Sequence, residues 1–187
     1  MLSKLIFLCA DAVAILCWGR LLLQWGKLPF LHPLAQFCLK GTDWLVRPLR
    51  KIVPPIGHWD TACILAVFIV YYLATILNLL NDLSQLQLNV RMLAANILIS
   101  LILALKALCY ALFLGLFVRI FLSFTQTYSP LLATLQRIYQ PLTRPFSFLR
   151  LGQYDFSATI LLLFVYLTIE WFVPYAMNQI TLWLLIS

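Results

Sequence analysis

The stretch Arg20 to Phe68, RLLLQWGKLPFLHPLAQFCLKGTDWLVRPLRKIVPPIGHWDTACILAVF, decides the reading of this chain, because Arg119 to Phe164, RIFLSFTQTYSPLLATLQRIYQPLTRPFSFLRLGQYDFSATILLLF, follows the same plan. In each, an Arg closes a long apolar run, and a Pro (Pro33, Pro130) opens a short amphipathic segment. An Arg-Pro pair follows (Arg47-Pro48, Arg144-Pro145), then a Gly (Gly57, Gly152). An aromatic-Asp step (Trp59-Asp60, Tyr154-Asp155) then starts a new apolar run. Self-similarity of this kind marks a repeated unit. It divides the chain into a first repeat, 1–91, and a second, 92–187.

Outward from these stretches the chain is apolar. It is 64% hydrophobic and 10% charged over 187 residues, against roughly 45–50% and 25% in soluble domains. Crossing a bilayer core takes roughly 20 apolar residues in a helix. Four segments qualify, at about 5–25, 61–81, 92–118 and 156–177. The last apolar stretch continues to Ser187, too long for one straight span, and Pro174 is expected to kink or end that helix. The fold expected is an all-α membrane protein of four transmembrane helices. They form two parallel two-helix repeats, each with an amphipathic interfacial helix in its cytoplasmic loop.

The first segment resembles a signal peptide, with Lys4 before an apolar run and Ala10-Asp11-Ala12 as a small-residue step. Its repeat partner, ending at Arg119, is internal, so the segment reads as a retained span. Topology follows from the loop charges. Lys27, Lys40, Arg47, Arg50, Lys51, Arg137, Arg144 and Arg150 lie in the two long loops, against Lys4 and Arg91 on the other side. Both long loops are therefore expected in the cytoplasm and both termini outside.

Within the loops, Leu34, Cys38, Gly41 and Leu45, and likewise Leu131, Leu135, Ile138 and Leu142, keep one face of a 3.6-residue helix apolar. Pro33 and Pro130 suit the first turn, with Ser129 a cap for the second helix. Such a basic amphipathic helix either lies in the interface against anionic headgroups or packs on the inner ends of the spans. Asp60 and Asp155 sit where a span starts and can cap it. They share depth with Arg20 and Arg119, so an Arg-Asp pairing is expected, its partners undetermined.

Three charges have no repeat counterpart: Asp11, Lys106 and Glu170. Lys106 precedes Arg119 by about 20 Å of helix, and Glu170 follows Asp155 by about 22 Å. The two reach similar depth, and pairing them relieves the cost of each in lipid. Tyr110 stands at the repeat-equivalent position of Asp11.

The net charge of +7 serves topology here. Nucleic-acid binding is not expected, because the aromatics lie within the apolar runs. The five cysteines show no CxxC spacing, and His32 and His58 have no second-loop equivalents. No catalytic residue, metal ligand or cofactor fingerprint is expected.

The ordered elements Arg20, Pro33, Arg47, Pro48, Gly57 and Asp60, with Arg119, Pro130, Arg144, Pro145, Gly152 and Asp155, resemble the YggT family, also called YlmG-like, as a tandem two-domain member. The resemblance implies a non-enzymatic protein of the bacterial inner membrane without cofactors. It implies an accessory, assembly or scaffold role linked to osmotic or salt stress tolerance. The alternative is ion or small-solute permeation, or its regulation, as an oligomer. Implied partners are membrane lipids through anionic headgroups, and a protein partner or a second copy.

Overall fold

The structure is a computed structural model and describes residues 2–29, 31–54, 60–82, 90–124, 130–144, 150–151 and 154–186. Gly57, Pro145, Gly152, the Ser129 cap, His58 and Trp59 lie outside the described residues, as does the side chain of Asp155. The elements run α1 (Leu2–Trp25), α2 (Pro33–Ile52), α3 (Thr61–Asp82), α4 (Val90–Phe124), α5 (Pro130–Thr143), β1 (Arg150–Leu151), β2 (Tyr154–Asp155), α6 (Phe156–Leu167), a π-helical turn (Thr168–Phe172) and α7 (Val173–Ile186). Among the described residues every regular element is helical except the two-residue antiparallel pair, whose register sets Arg150 opposite Asp155.

Four helical stretches are long and apolar enough to cross a membrane: Leu2–Trp25, Thr61–Leu80, Arg91–Leu122 and Ser157–Trp183. The third runs past the expected end at Val118. The repeat-matched arginines, Arg20 and Arg119, lie inside their helices, five residues before the ends at Trp25 and Phe124. The long stretch around Pro174 neither ends nor needs a sharp break. Proline lacks an N–H for the usual bond to the carbonyl four residues back. A π-turn closes just before it, with the Val173 N–H bonded to the Thr168 carbonyl, and α7 continues to Ile186.

α1, α3 and α4 meet through small side chains. Ala10, Ala14 and Cys17 of α1 face Ala62, Cys63 and Ala66 of α3 and Ala104, Ala107 and Ala111 of α4, all buried in one cluster. Where lipid tails surround a bundle, hydrophobicity does not drive helices together, and small residues win by letting backbones approach. Polar bonds add to this. The Trp18 indole N–H donates to the Ala104 carbonyl at 3.0 Å, and the Thr75 and Ser100 hydroxyls bond at 3.2 Å. A second buried cluster joins α4, α5 and α6 through Leu116, Leu135, Ile138, Tyr139, Leu161 and Val165.

α1 ends in a Schellman arrangement. The Lys27 N–H bonds the Gln24 carbonyl, and the Leu28 N–H bonds the Leu23 carbonyl. The left-handed position usually given to glycine is held by Lys27, with φ 58°, at a cost of about 1–2 kcal/mol. The glycine stands one place earlier because of space. A Cβ on Gly26 would lie 2.5 Å from Thr134 Cγ2 and 2.8 Å from Ile138 Cδ1, so the end of α1 seats directly on α5.

Candidate functional site

α2 begins as its sequence dictates. His32 is the cap, its Nδ1 accepting from the Leu34 N–H at 3.3 Å, and Pro33 opens the first turn. The helix then runs through Pro48 to Ile52, so the Arg47-Pro48 step does not end it. The buried face is Ala35, Cys38, Thr42 and Val46, one position off the expected face. Leu34 is exposed, and Gly41 and Leu45 are half-buried. On α5 the buried set is Leu131, Thr134, Leu135, Ile138, Tyr139 and Thr143, while Leu142 is exposed. The second amphipathic helix is thus close to its expected face and the first is rotated.

Two ion pairs hold α2 against the spans. Arg20, 4% exposed, donates from Nη1 to Asp43 Oδ1 at 2.8 Å and to Thr42 Oγ1 at 2.9 Å. Thr42 donates in turn to the Cys38 carbonyl at 2.7 Å. Arg50 donates from Nη2 to Asp60 Oδ2, which also accepts from Cys63 Sγ at 3.3 Å. In the first half, therefore, Arg20 and Asp60 are not each other's partner. Each reaches a residue of α2, which crosses between their helices. Asp43 and Arg50 escaped the sequence reading as site residues. Their signal was Asp43 as the lone acid of its loop and Arg50 at seven residues further on, two turns along the same helix.

Burial pushes the Asp60 carboxyl up, but the hydrogen bonds from Arg50 and Cys63 outweigh it and hold the carboxyl below the usual carboxylate range. The same bond to Asp60 raises Arg50, so both members stay charged. Burial pushes the Cys38 thiol up, which suits a packing residue rather than a nucleophile.

The opposite face of α2 carries Phe37, Lys40, Trp44, Arg47 and Lys51, spaced three, four, three and four, all exposed. Phe37 and Trp44 are each 67% exposed. Aromatics alternating with basic residues on one helical stripe suit a membrane interface. On α5 Arg137 is exposed as well, as is Arg144 just past its end, without the aromatics.

In the second half, Arg119 is buried near Tyr139. The Tyr139 hydroxyl donates to the Leu112 carbonyl at 2.8 Å. Burial raises this phenol well above its ordinary value, with Arg119 pulling the other way. A Cβ on Gly115 would fall inside contact distance of the Tyr139 hydroxyl. Between the halves lies an apolar cavity of about 240 Å³, bordered by Gly19, Cys38, Gly115, Leu135 and Tyr139.

The unmatched charges lie within the spans. Asp11 accepts from the Tyr71 hydroxyl at 2.6 Å. Lys106 and Glu170 line one cavity of about 230 Å³ between α4 and the π-turn. They are not within ion-pair distance of each other among the described residues. The Lys106 ammonium instead lies 5.6 Å from the Tyr110 ring centroid. No group of three metal-ligating side chains is present among the described residues.

Four helices long and apolar enough to cross a membrane, with the amphipathic helices α2 and α5 between them, fit one class: a small polytopic membrane protein. The first 81 residues match the CCB3/YggT family. The chain is similar to the uncharacterized protein YggT of Escherichia coli (strain K12), 31% identical over 150 residues, covering 79% of this chain and 76% of the relative. An uncharacterized protein of Haemophilus influenzae is 28% identical over 146 residues, covering 76% and 75%. The uncharacterized protein in proC 3'region of Vibrio alginolyticus is 27% identical over 163 residues, covering 86% of each. No solved structure matches. The chain belongs to the CCB3/YggT family.

Proposed function

We propose that this protein is a non-enzymatic accessory or scaffold factor of the bacterial inner membrane, with its long loops cytoplasmic and both termini outside. The observation that carries the reading is the exposed stripe Phe37, Lys40, Trp44, Arg47 and Lys51 on a helix whose other face is fixed by two ion pairs. A helix held rigidly with aromatic and basic side chains outward presents a surface rather than a reaction centre. Its basic groups meet anionic headgroups, at about 1 kcal/mol each near the surface. The aromatic rings anchor at headgroup level and frame a docking face for a protein partner or a second copy. The basic residues of the loops, eight against two, support the sidedness. The likeness of the two halves supports parallel repeats about an axis along the membrane normal.

The link to osmotic or salt stress tolerance rests on family membership. It is tested by growth of a deletion strain at raised salt, with and without the gene restored. The scaffold reading is tested by photo-crosslinking from positions 40 and 44 in cells. A discrete protein adduct is expected, and capture of lipid alone defeats the reading. Ion or small-solute permeation is the second reading, favoured by Asp11, Lys106 and Glu170 within the spans. Four helices enclose little space, so a pore needs an oligomer, and liposomes bearing the purified protein that pass no ion under an osmotic step exclude direct permeation.

A further inference from the structure

We propose that the cavity between α4 and the π-turn binds a zwitterionic group, its anionic end on Lys106 and its cationic nitrogen on Glu170. Both charges border the same space of about 230 Å³, with Tyr110, Leu103, Pro174 and Met177 completing the walls. They stand near the middle of the spans Arg91–Leu122 and Ser157–Trp183, where an isolated charge is costly and marks a functional position. Within one bundle the simplest relief is a direct ion pair. That pair is not made, and both groups line the one cavity.

The occupant follows from charge and size. An anion satisfies Lys106 but is repelled by Glu170, and a cation meets the reverse problem. A molecule with both charges a few bonds apart complements both walls at once. At about 30 Å³ per water, the space holds roughly seven waters or one small zwitterion. It is below the roughly 300 Å³ at which drug-sized pockets begin. Glu170 is exposed at the bundle surface, so the cavity opens sideways to the surrounding layer.

The backbone is shaped for the site. Glu170 sits in the π-turn, where one extra residue is accommodated before Pro174, and such turns recur at functional positions. The titratable groups around the cavity are Lys106, Tyr110 and Glu170, with Asp11 within electrostatic reach of Tyr110. Asp11 is already engaged by Tyr71. Counting from Arg20 against Arg119 and from Asp60 against Asp155, Phe7 and Thr75 take the places of Lys106 and Glu170. The site therefore belongs to the second half alone. The zwitterion has two sources: a free carboxylate-ammonium solute, or the phosphate-ammonium headgroup of an ethanolamine phospholipid drawn below the leaflet surface to this depth.

The test is equilibrium binding to the full chain in a non-ionic maltoside detergent, a readout independent of both flux and crosslinking. One arm uses β-alanine, with propionate and propylamine as its separate halves. The other uses native mass spectrometry with phosphatidylethanolamine against phosphatidylglycerol. Saturable binding of β-alanine upholds a solute site, and preferential retention of phosphatidylethanolamine upholds a headgroup site. Lys106→Gln and Glu170→Gln should each weaken binding at least about tenfold. The charge-swapped double variant, Lys106→Glu with Glu170→Lys, should restore it, because a zwitterion can turn round. Met177→Trp, which fills the space and keeps both charges, should abolish binding, and it decides the matter if a charge variant fails to fold. The proposal is overturned if neither zwitterion binds more tightly than its single-charge controls, or if Met177→Trp leaves binding unchanged.

Discussion

Among the described residues, the fastenings of the two amphipathic helices to the spans differ between the halves. In the first half the fastening is electrostatic: Arg20 to Asp43 and Arg50 to Asp60. In the second half, counting from Arg47 against Arg144, Gln140 stands in the place of Asp43 and Ser147 in that of Arg50. Among the described residues the contact there is one of shape, with Tyr139 lying over Gly115 and bonded to the Leu112 carbonyl. The contrast teaches that a shared plan can be kept while the forces holding it change. It also predicts that the halves fail under different insults.

The largest effect is expected at Asp60, which is fully buried. Arg50→Ala leaves that carboxylate without its ion-pair partner and should cost about 3 kcal/mol, the lower end of the range for breaking a buried pair because Arg50 is partly exposed. Thermal unfolding in detergent measures this. The pH dependence has a definite sign. Asp60 titrates below its ordinary value when folded, so its contribution is fully present above the unfolded carboxylate pKa. It is lost as pH falls through the lower folded value, in a window below about pH 4. Hydrogen exchange should show α2 loosening on acidification before α5. Equal loosening of both would erase the comparison.

Next is the fastening by shape. Gly115→Ala should cost about 2 kcal/mol by overpacking. Tyr139→Phe removes the nearest atom that the new methyl group meets and leaves ring carbon Cζ at 3.2 Å, so Gly115→Ala should cost much less in the Tyr139→Phe background than in the parent. An additive loss in this double-mutant cycle would show that Gly115 serves something other than Tyr139.

Smaller still is Asp43→Asn. Asp43 is 51% exposed and Arg20 keeps its bond to Thr42, so the loss should be at most about 1 kcal/mol. Trp44→Ala should change unfolding by no more than about 0.5 kcal/mol, yet shift the depth of α2 in nanodiscs, read by a spin label at position 40. No change in depth would remove Trp44 as an anchor.

The spans and both helix starts were legible because composition and proline placement act locally. The rotated face of α2 was not. Phe37 and Trp44 are its largest apolar side chains and both are exposed, as is Leu34. Beside lipid an outward aromatic costs nothing, so apolar periodicity marks the membrane as readily as the core. The better signal was the small-residue period Ala35, Cys38, Thr42 and Val46. The partners of Arg20 and Asp60 were illegible for a related reason. Shared depth says nothing about angle around the bundle, and α2 lies between the two helices that carry them. Lys106 and Glu170 line one cavity, but the shape of that space depends on a π-turn that no residue pattern announces.

The seat of Gly26 on Thr134 and Ile138 bears on biogenesis. Residue 26 is made well before its seat, which belongs to a helix more than a hundred residues later in the chain. The first span therefore reaches the membrane long before its own end has anything to rest on. Insertion can proceed span by span, but closure of the bundle must wait for the second amphipathic helix.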